Sequence, residues 1–407
     1  MIARFCLYSV LKNLRFADPF LLLFLLHRGY TLTAIGAFLG AQHLFTGTLE
    51  LPLGVAADRF GRRRSLALCF VCYAAAFELF PLATPGRPLA LGAALLLFGL
   101  GEALRTGSHK AIMLDYLERR GERQRATEVV GLTRGYSRLS SGSAALGGGA
   151  LLYVLRDYAP LFHLSAAAAV SGFFLMLTYP RELEGEQRRA SRSGEARVPL
   201  RERLRKLGAY PRVAGLLVQS VLFESQVKLV RKYYLQPFLK QGLALTGLPV
   251  LGAGALAIGG VELLADVLGA VGARSSARLQ RLLGGRRRAL RVAYVGAMIG
   301  TLAIAASAAL GSLWPGVLAA ITLWLLQNAR RPVFVAAFGD YMDKPQRATS
   351  LSVESLARTV TLSLLLPLCG LLADRVGLWA AFALVATLLL LGAGVPQPAQ
   401  PAEQDGG

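Results

Sequence analysis

Apolar residues in this chain gather in long blocks separated by short polar connectors. Twelve blocks stand out, at roughly 5–27, 33–57, 65–83, 89–116, 127–154, 158–179, 212–238, 245–272, 289–310, 314–341, 348–372 and 377–393. Each is long enough for a tilted helix to cross a bilayer. The blocks at 89–116 and 127–154 exceed the roughly 20 residues that a crossing needs, so their ends are expected to project into the cytoplasm. One polar stretch is long: Arg181 to Leu207, loaded with arginine and glutamate, reads as a solvated linker, partly helical on the membrane surface. After Gly394 the chain turns to Pro, Gln and Gly, a composition that predicts disorder. The pattern predicts an all-α polytopic membrane protein with twelve transmembrane helices. It divides into a first six-helix half at 1–180, a linker at 181–207, a second half at 208–393 and a tail at 394–407.

Composition agrees, since hydrophobic residues make up 54% of the 407. The formal net charge of +21 would suggest nucleic acid on a soluble surface. Here it concentrates in alternate connectors. Those at 1–4, 58–64, 117–126, 181–207, 274–288 and 342–347 hold about 26 Lys and Arg, against about five in the others. Cationic loops stay on the cytoplasmic side, so both termini and the linker are expected there, in a plasma (inner) membrane and without a nucleic-acid partner. The apolar start at residue 5 shows no small-residue cleavage site and reads as a retained helix. Cys69 and Cys72 are three apart on one helix, but no second ligand pair follows. Buried thiols, and no metal site, are expected.

The densest polar connector is Gly54-Val-Ala-Ala-Asp58-Arg59-Phe-Gly61-Arg62-Arg63-Arg64. Glycines there permit close approach or positive φ, Asp58 is placed to cap a helix or pair with a cation, and the arginines suit a headgroup region. This G-x-x-x-D-R-x-G-R-R-R spacing resembles the loop between helices two and three of the major facilitator superfamily. The chain also repeats itself. Gly61-Arg62-Arg63-Arg64 recurs as Gly285-Arg286-Arg287-Arg288, Asp115-Tyr116 as Asp340-Tyr341, Arg105 as Arg330, and Gln124-Arg125-Ala126-Thr127 as Gln346-Arg347-Ala348-Thr349. The order is kept at a nearly constant offset, which predicts two pseudo-symmetric halves in parallel topology. The second copy of the loop lacks the D-R-x-G core. The resemblance implies a conformational gate at Gly54, Asp58, Arg59, Gly61, Arg62 and Arg63. A further run, Gly142 to Gly149 in helix five, distantly resembles the glycine-rich motif of drug–proton antiporters but lacks its proline. Close helix packing is the alternative.

Charges at membrane depth are costly unless they face a cavity or a partner. Helices three, six, nine and twelve carry almost none, Glu78 being the exception. Helices one, four, seven and ten hold nine cations, including Lys12, Arg15, Arg105, Lys110, Arg330 and Arg331, against the acids Asp18, Glu102 and Glu224. By the resemblance, those four helices line the central cavity and the others face lipid. Glu102 and Arg105 are placed for an intrahelical pair, and so are Glu224 and Lys228. Lys228, Arg231 and Lys232 either snorkel or bind solute. Ion pairs are expected between helix five, with Arg134 and Arg138, and helix eleven, with Glu354 and Arg358. His109, one turn beyond Arg105, serves a proton relay or a structural contact.

No phosphate-binding loop or catalytic constellation is legible, so neither ATP-driven transport nor an enzyme is expected, and no cofactor. The expected function is secondary active transport of a small solute by alternating access, coupled to protons through Glu102 and Glu224. The cation excess favours an organic anion or zwitterion, bound by Arg15, Arg105, Arg330 and Arg331, with Arg105 and Arg330 as clamps. Proton-driven efflux of drugs or hydrophobic metabolites and a solute-sensing receptor are the alternatives. A monomer in the bilayer is expected.

Overall fold

The computed structural model describes residues 1–180, 183, 211–340 and 344–395. The expected linker and tail therefore lie almost wholly outside the described residues. Every apolar block becomes helix. In the first half these are α1 (Ile2–Asn13), α2 (Leu21–His27), α3 (Leu32–Phe60), α4 (Arg62–Leu79), α5 (Pro88–Arg105), α6 (Ser108–Arg119), α7 (Ala126–Leu155) and α8 (Ala159–Leu177). In the second they are α9 (Pro211–Lys228), α10 (Leu235–Leu245), α11 (Ala255–Leu282), α12 (Arg286–Ala309), α13 (Leu313–Asp340), α14 (Lys344–Arg375) and α15 (Leu378–Ala393). Among the described residues, six spans are long and apolar enough to cross a membrane by length and composition alone: Arg62–Leu82, Pro88–Arg119, Ala159–Leu177, Val250–Gly269, Arg286–Ala309 and Val353–Arg375.

Crossings one, four and seven are among those interrupted where the hydropathy pattern predicts one rod. Crossing one opens between α1 and α2, where Pro19 lacks an N–H and its ring would clash with the carbonyl of Arg15 in a continued helix. Crossing four breaks between α5 and α6 at Gly107, whose φ of 75° is left-handed. Crossing seven passes through a π-helical turn, Leu229–Tyr234, between α9 and α10. Pro237 follows closely and cannot donate to Tyr233, and the wider turn absorbs that missing bond.

The polar loop of the sequence signature is almost all helix. α3 runs through Asp58 and Arg59 to Phe60, and α4 begins at Arg62, leaving only Gly61 between them, at φ 109°. Its second copy keeps that backbone: Gly285, at φ 125°, stands immediately before α12. So the turn and its three arginines survive in both repeats, although the D-R-x-G core of the first copy is lost from the second.

Contacts divide the chain into two compact units, Met1–Ala196 with Leu248–Asp266, and Arg197–Gly247 with Val267–Gly407. In the first unit α4 packs on α5 and α8, α3 on α5, and α1 on α7 and α8. In the second, α12 packs on α13 and α15, and α9 on α14 and α15. Counted as crossings, three meets four and six while one meets five and six; nine meets ten and twelve while seven meets eleven and twelve. The second unit thus repeats the first, six crossings later. Crossings three, six, nine and twelve all present large apolar side chains outward, among them Leu68, Phe174, Ile299 and Leu391. Glu78, the exceptional acid of crossing three, is met by His163 of α8 at 2.9 Å.

The start of α11 belongs to the first unit and lies on α7 through glycines. A Cβ at Gly149 would stand 2.5 Å from the carbonyl oxygen of Ala255, and one at Gly259 2.5 Å from that of Ala145. The glycines of helix five therefore serve close backbone approach.

Candidate functional site

In the first unit the buried charges converge on Glu102 of α5. Arg105, one turn further along the same helix, donates to its Oε2 at 2.5 Å. Arg15, in the break between α1 and α2, donates to Oε1 at 2.9 Å, and Tyr73 of α4 donates to the same oxygen at 2.7 Å. Arg15 also stacks over the Tyr73 ring at 4.3 Å and lies 3.5 Å from Asp18. Gly101 makes this geometry possible, because a Cβ there would stand 2.7 Å from the Tyr73 ring. Two arginines and two acids are balanced in one cluster, and both oxygens of Glu102 are engaged.

The second unit carries a related cluster with the signs exchanged. Crossing seven supplies the acid, Glu224 of α9, and crossing ten the cations, Arg330 and Arg331 of α13. In the first unit crossing one supplies Arg15 and crossing four supplies Glu102. Arg330 is only 3% exposed, lies between Phe223 and Phe334 at 4.3 and 5.0 Å, and approaches Glu224 Oε1 at 3.5 Å. Gln327 donates to the other oxygen at 2.7 Å. Among the described residues, Glu224 Oε1 and the Nε and Nη1 of Arg330 complete no hydrogen bond. Arg331 bonds both oxygens of Glu354 on α14, at 2.7 and 3.1 Å, and Ser220 donates to Glu354 at 2.9 Å.

At the signature turn, Asp58 pairs with Arg62 at 3.0 Å, and Arg62 reaches Asp115 of α6 at 3.6 Å. Arg63 donates to the carbonyls of Met176 and Leu177 at the end of α8, at 2.9 and 2.7 Å. Backbone carbonyls left over at a helix C-terminus are natural acceptors for arginine. A Cβ at Gly54 would touch nothing within 4 Å. The motif therefore ties α3, α4, α6 and α8 within the first unit.

A cavity of about 180 Å³ opens among α1, α5, α6 and α7. Lys12, Arg105, Lys110 and Arg134 line it together with Tyr8, His109, Thr133 and Ser137. The helix break at Gly107 forms part of its wall. His109 does not continue the Arg105 face, as an unbroken helix would require. It stacks on Tyr8 at 3.6 Å and lies 3.2 Å from the hydroxyl of Tyr179.

The four arginines expected to bind solute thus all sit in ion pairs, three of them with acids of other helices. The intrahelical Glu102–Arg105 pair forms as its spacing predicts. Glu224 turns to Arg330 and Gln327. Glu354 is taken by Arg331, and Arg138 of helix five approaches Asp266 of helix eight at 4.0 Å. Arg231 stacks on Trp324 at 3.6 Å, so it is held inside the bundle and does not snorkel. All four cysteines are buried free thiols. Sequence reasoning missed Tyr73, Gln327 and Ser220, which carry no charge and stand far from their partners in the chain.

Each unit is a set of packed helices with a buried charge cluster, and the first also holds a cavity. The chain belongs to the Major Facilitator Superfamily, whose sequence model matches residues 2–329. No curated protein matches the sequence. Among solved structures, a mutant form of the nucleoside transporter NupG superposes with a TM-score of 0.79 at 13% identity, covering 96% of this chain and 98% of that one. A D-xylose–proton symporter superposes with a TM-score of 0.67 at 13% identity, covering 96% and 95%. A POT family transporter in complex with 5-aminolevulinic acid gives 0.68 at 14% identity, covering 96% and 93%. Identities this low show the fold alone; it is membership of the family that makes the protein a multi-pass membrane transporter.

Proposed function

We propose that this protein moves an organic anion or zwitterion across the membrane by alternating access, driven by protons. One observation carries the choice of solute: the cavity of the first unit is lined by four cations and no carboxylate. A lipophilic cation would be repelled by such a lining, whereas carboxylate or phosphate oxygens match its donors. The proton is assigned to the buried carboxylates. Glu224 is the better placed, with one oxygen free of hydrogen bonds among the described residues, whereas Glu102 is saturated. The asymmetry of Lys and Arg between connectors supports an inner-membrane orientation with both termini cytoplasmic.

Uptake into proteoliposomes under an imposed pH gradient tests the reading. Carboxylates or phosphates should compete and lipophilic cations should not. The reverse pattern would replace anion transport by cationic drug export. Saturable binding without accumulation would mark a receptor.

The gate is tested separately. Asp58→Asn should leave membrane insertion and expression intact, because Arg62 keeps Asp115 and Arg63 keeps the α8 carbonyls. The transport rate per inserted molecule should fall at least about tenfold, as the charge that positions Arg62 is lost. A rate equal to the parent's would make the signature a passive turn.

A further inference from the structure

The cation-lined cavity of the first unit holds a surplus charge that the protein does not neutralise. Arg105 is balanced within the Glu102 cluster, where Arg15 and Arg105 meet Glu102 and Asp18. Lys12, Lys110 and Arg134 remain. Among the described residues none of the three forms an ion pair, and no acid lines the space they share. The nearby carboxylate, Glu102, sits behind Arg105 with both oxygens taken. A second observation points to an occupant. Tyr8 is 3% exposed and lines the same cavity, yet its hydroxyl completes no hydrogen bond among the described residues. His109 clamps its ring from one face at 3.6 Å, which fixes where that hydroxyl lies. A buried hydroxyl without a partner is costly, and a ligand oxygen would satisfy it.

We propose that this cavity binds the phosphate group of a small phosphate monoester, with Lys12, Lys110 and Arg134 as its cations and the Tyr8 hydroxyl as a neutral donor. The assignment deepens the anion reading above and rests on it. Lys12 is half-buried while Lys110 and Arg134 are exposed along the same space, and three cations together favour a ligand with more than one negative charge. A monocarboxylate supplies one, and so does the phosphodiester of a lipid headgroup, whereas a phosphate monoester carries about −1.5 to −2 near neutral pH. Two lysines act as point charges and Arg134 as a fork, a donor set that suits tetrahedral phosphate oxygens. A cavity of about 180 Å³ equals roughly six waters of ~30 Å³, room for the phosphate and a body of a few carbons.

The test uses the full chain in phosphatidylcholine nanodiscs, titrated with glycerol 3-phosphate, succinate and glycerol. Glycerol 3-phosphate should bind, succinate at least about tenfold more weakly, and glycerol not at all. Lys12→Gln and Arg134→Gln should each weaken glycerol 3-phosphate about tenfold or more, and more at low than at high salt. Tyr8→Phe should weaken it several-fold without lowering the unfolding temperature of the empty protein, since no bond within the protein is lost. If glycerol 3-phosphate binds but all three variants bind it as the parent does, the cavity is wrong while the anion reading stands. Tighter binding of succinate would overturn the phosphate assignment alone. Stabilisation by phosphatidylglycerol with no response to glycerol 3-phosphate would reassign the cavity to a lipid headgroup. If no anion binds and tetraphenylphosphonium does, this proposal and the anion reading fall together.

Discussion

Replacing Glu224 by glutamine is expected to abolish accumulation of solute against its gradient, by at least about a hundredfold, while downhill exchange continues. Glutamine keeps the volume and its amide oxygen can still accept from Gln327, so the packing of α9 on α14 and α15 should survive, with a lower unfolding temperature because Arg330 loses its counter-charge. What it removes is the one buried acid whose second oxygen completes no hydrogen bond among the described residues, 3.5 Å from Arg330. A group that takes and releases a proton during a cycle needs such a site, because a saturated carboxylate would first have to break bonds to charged donors. Counterflow should persist in the variant and proton-driven uptake should not. Full proton-driven uptake by Glu224→Gln would remove this residue from the coupling path. The same substitution at Glu102 separates coupling from architecture: it strands Arg15 and Arg105, so loss of folded protein is expected alongside loss of response to pH. A well-folded Glu102→Gln protein with an intact pH response would exclude Glu102 too.

The largest stability effect is expected at Glu354. It is 1% exposed, bonds Arg331 through both oxygens and accepts from Ser220. Glu354→Leu leaves Arg331 without its main partner. Arg331 is 36% exposed and keeps Glu224 at 3.8 Å, so the loss should fall below the roughly 3–5 kcal/mol of a fully buried pair, at about 1–3 kcal/mol. Thermal unfolding in detergent should show a large drop in midpoint. Adding Arg331→Met should recover much of it, because a pair replaced by apolar groups is often close to neutral. If the double variant is no better than the single one, the pair is not the source of the loss.

The two clusters explain why so much of the site escaped a linear reading. Arg15 and Glu102 are separated by 87 residues, and nothing in the composition of either neighbourhood names the other. Spacing along one helix found Glu102 with Arg105, since residues three apart share a face. The same rule misassigned Glu224 to Lys228, because two elements packed side by side offered a nearer cation on α13. Breaks within crossings mattered as well. A hydropathy block records how much apolar length is present but not whether it forms one rod, so the turn at Gly107 and the opening before Pro19 were invisible to it. The Gly107 turn forms part of the cavity wall, and Arg15 lies in the opening before Pro19.

The sequence by itself determined the class of this protein. Twelve apolar blocks, the alternation of basic connectors, the Gly54 to Arg64 signature and the internal repeat each follow from a local or periodic property that needs no partner to be read. Bilayer thickness and the cost of unpaired backbone in lipid leave helices as the only use for such blocks. Tertiary structure decided the chemistry. It paired three of the four arginines proposed for solute with acids of other helices, left Glu224 half satisfied, and brought Lys12 of α1, Lys110 of α6 and Arg134 of α7 around one space beside the lone hydroxyl of Tyr8. Charge at membrane depth acquires meaning only from the distance to the next charge, and that distance is set by packing between helices, not by order along the chain.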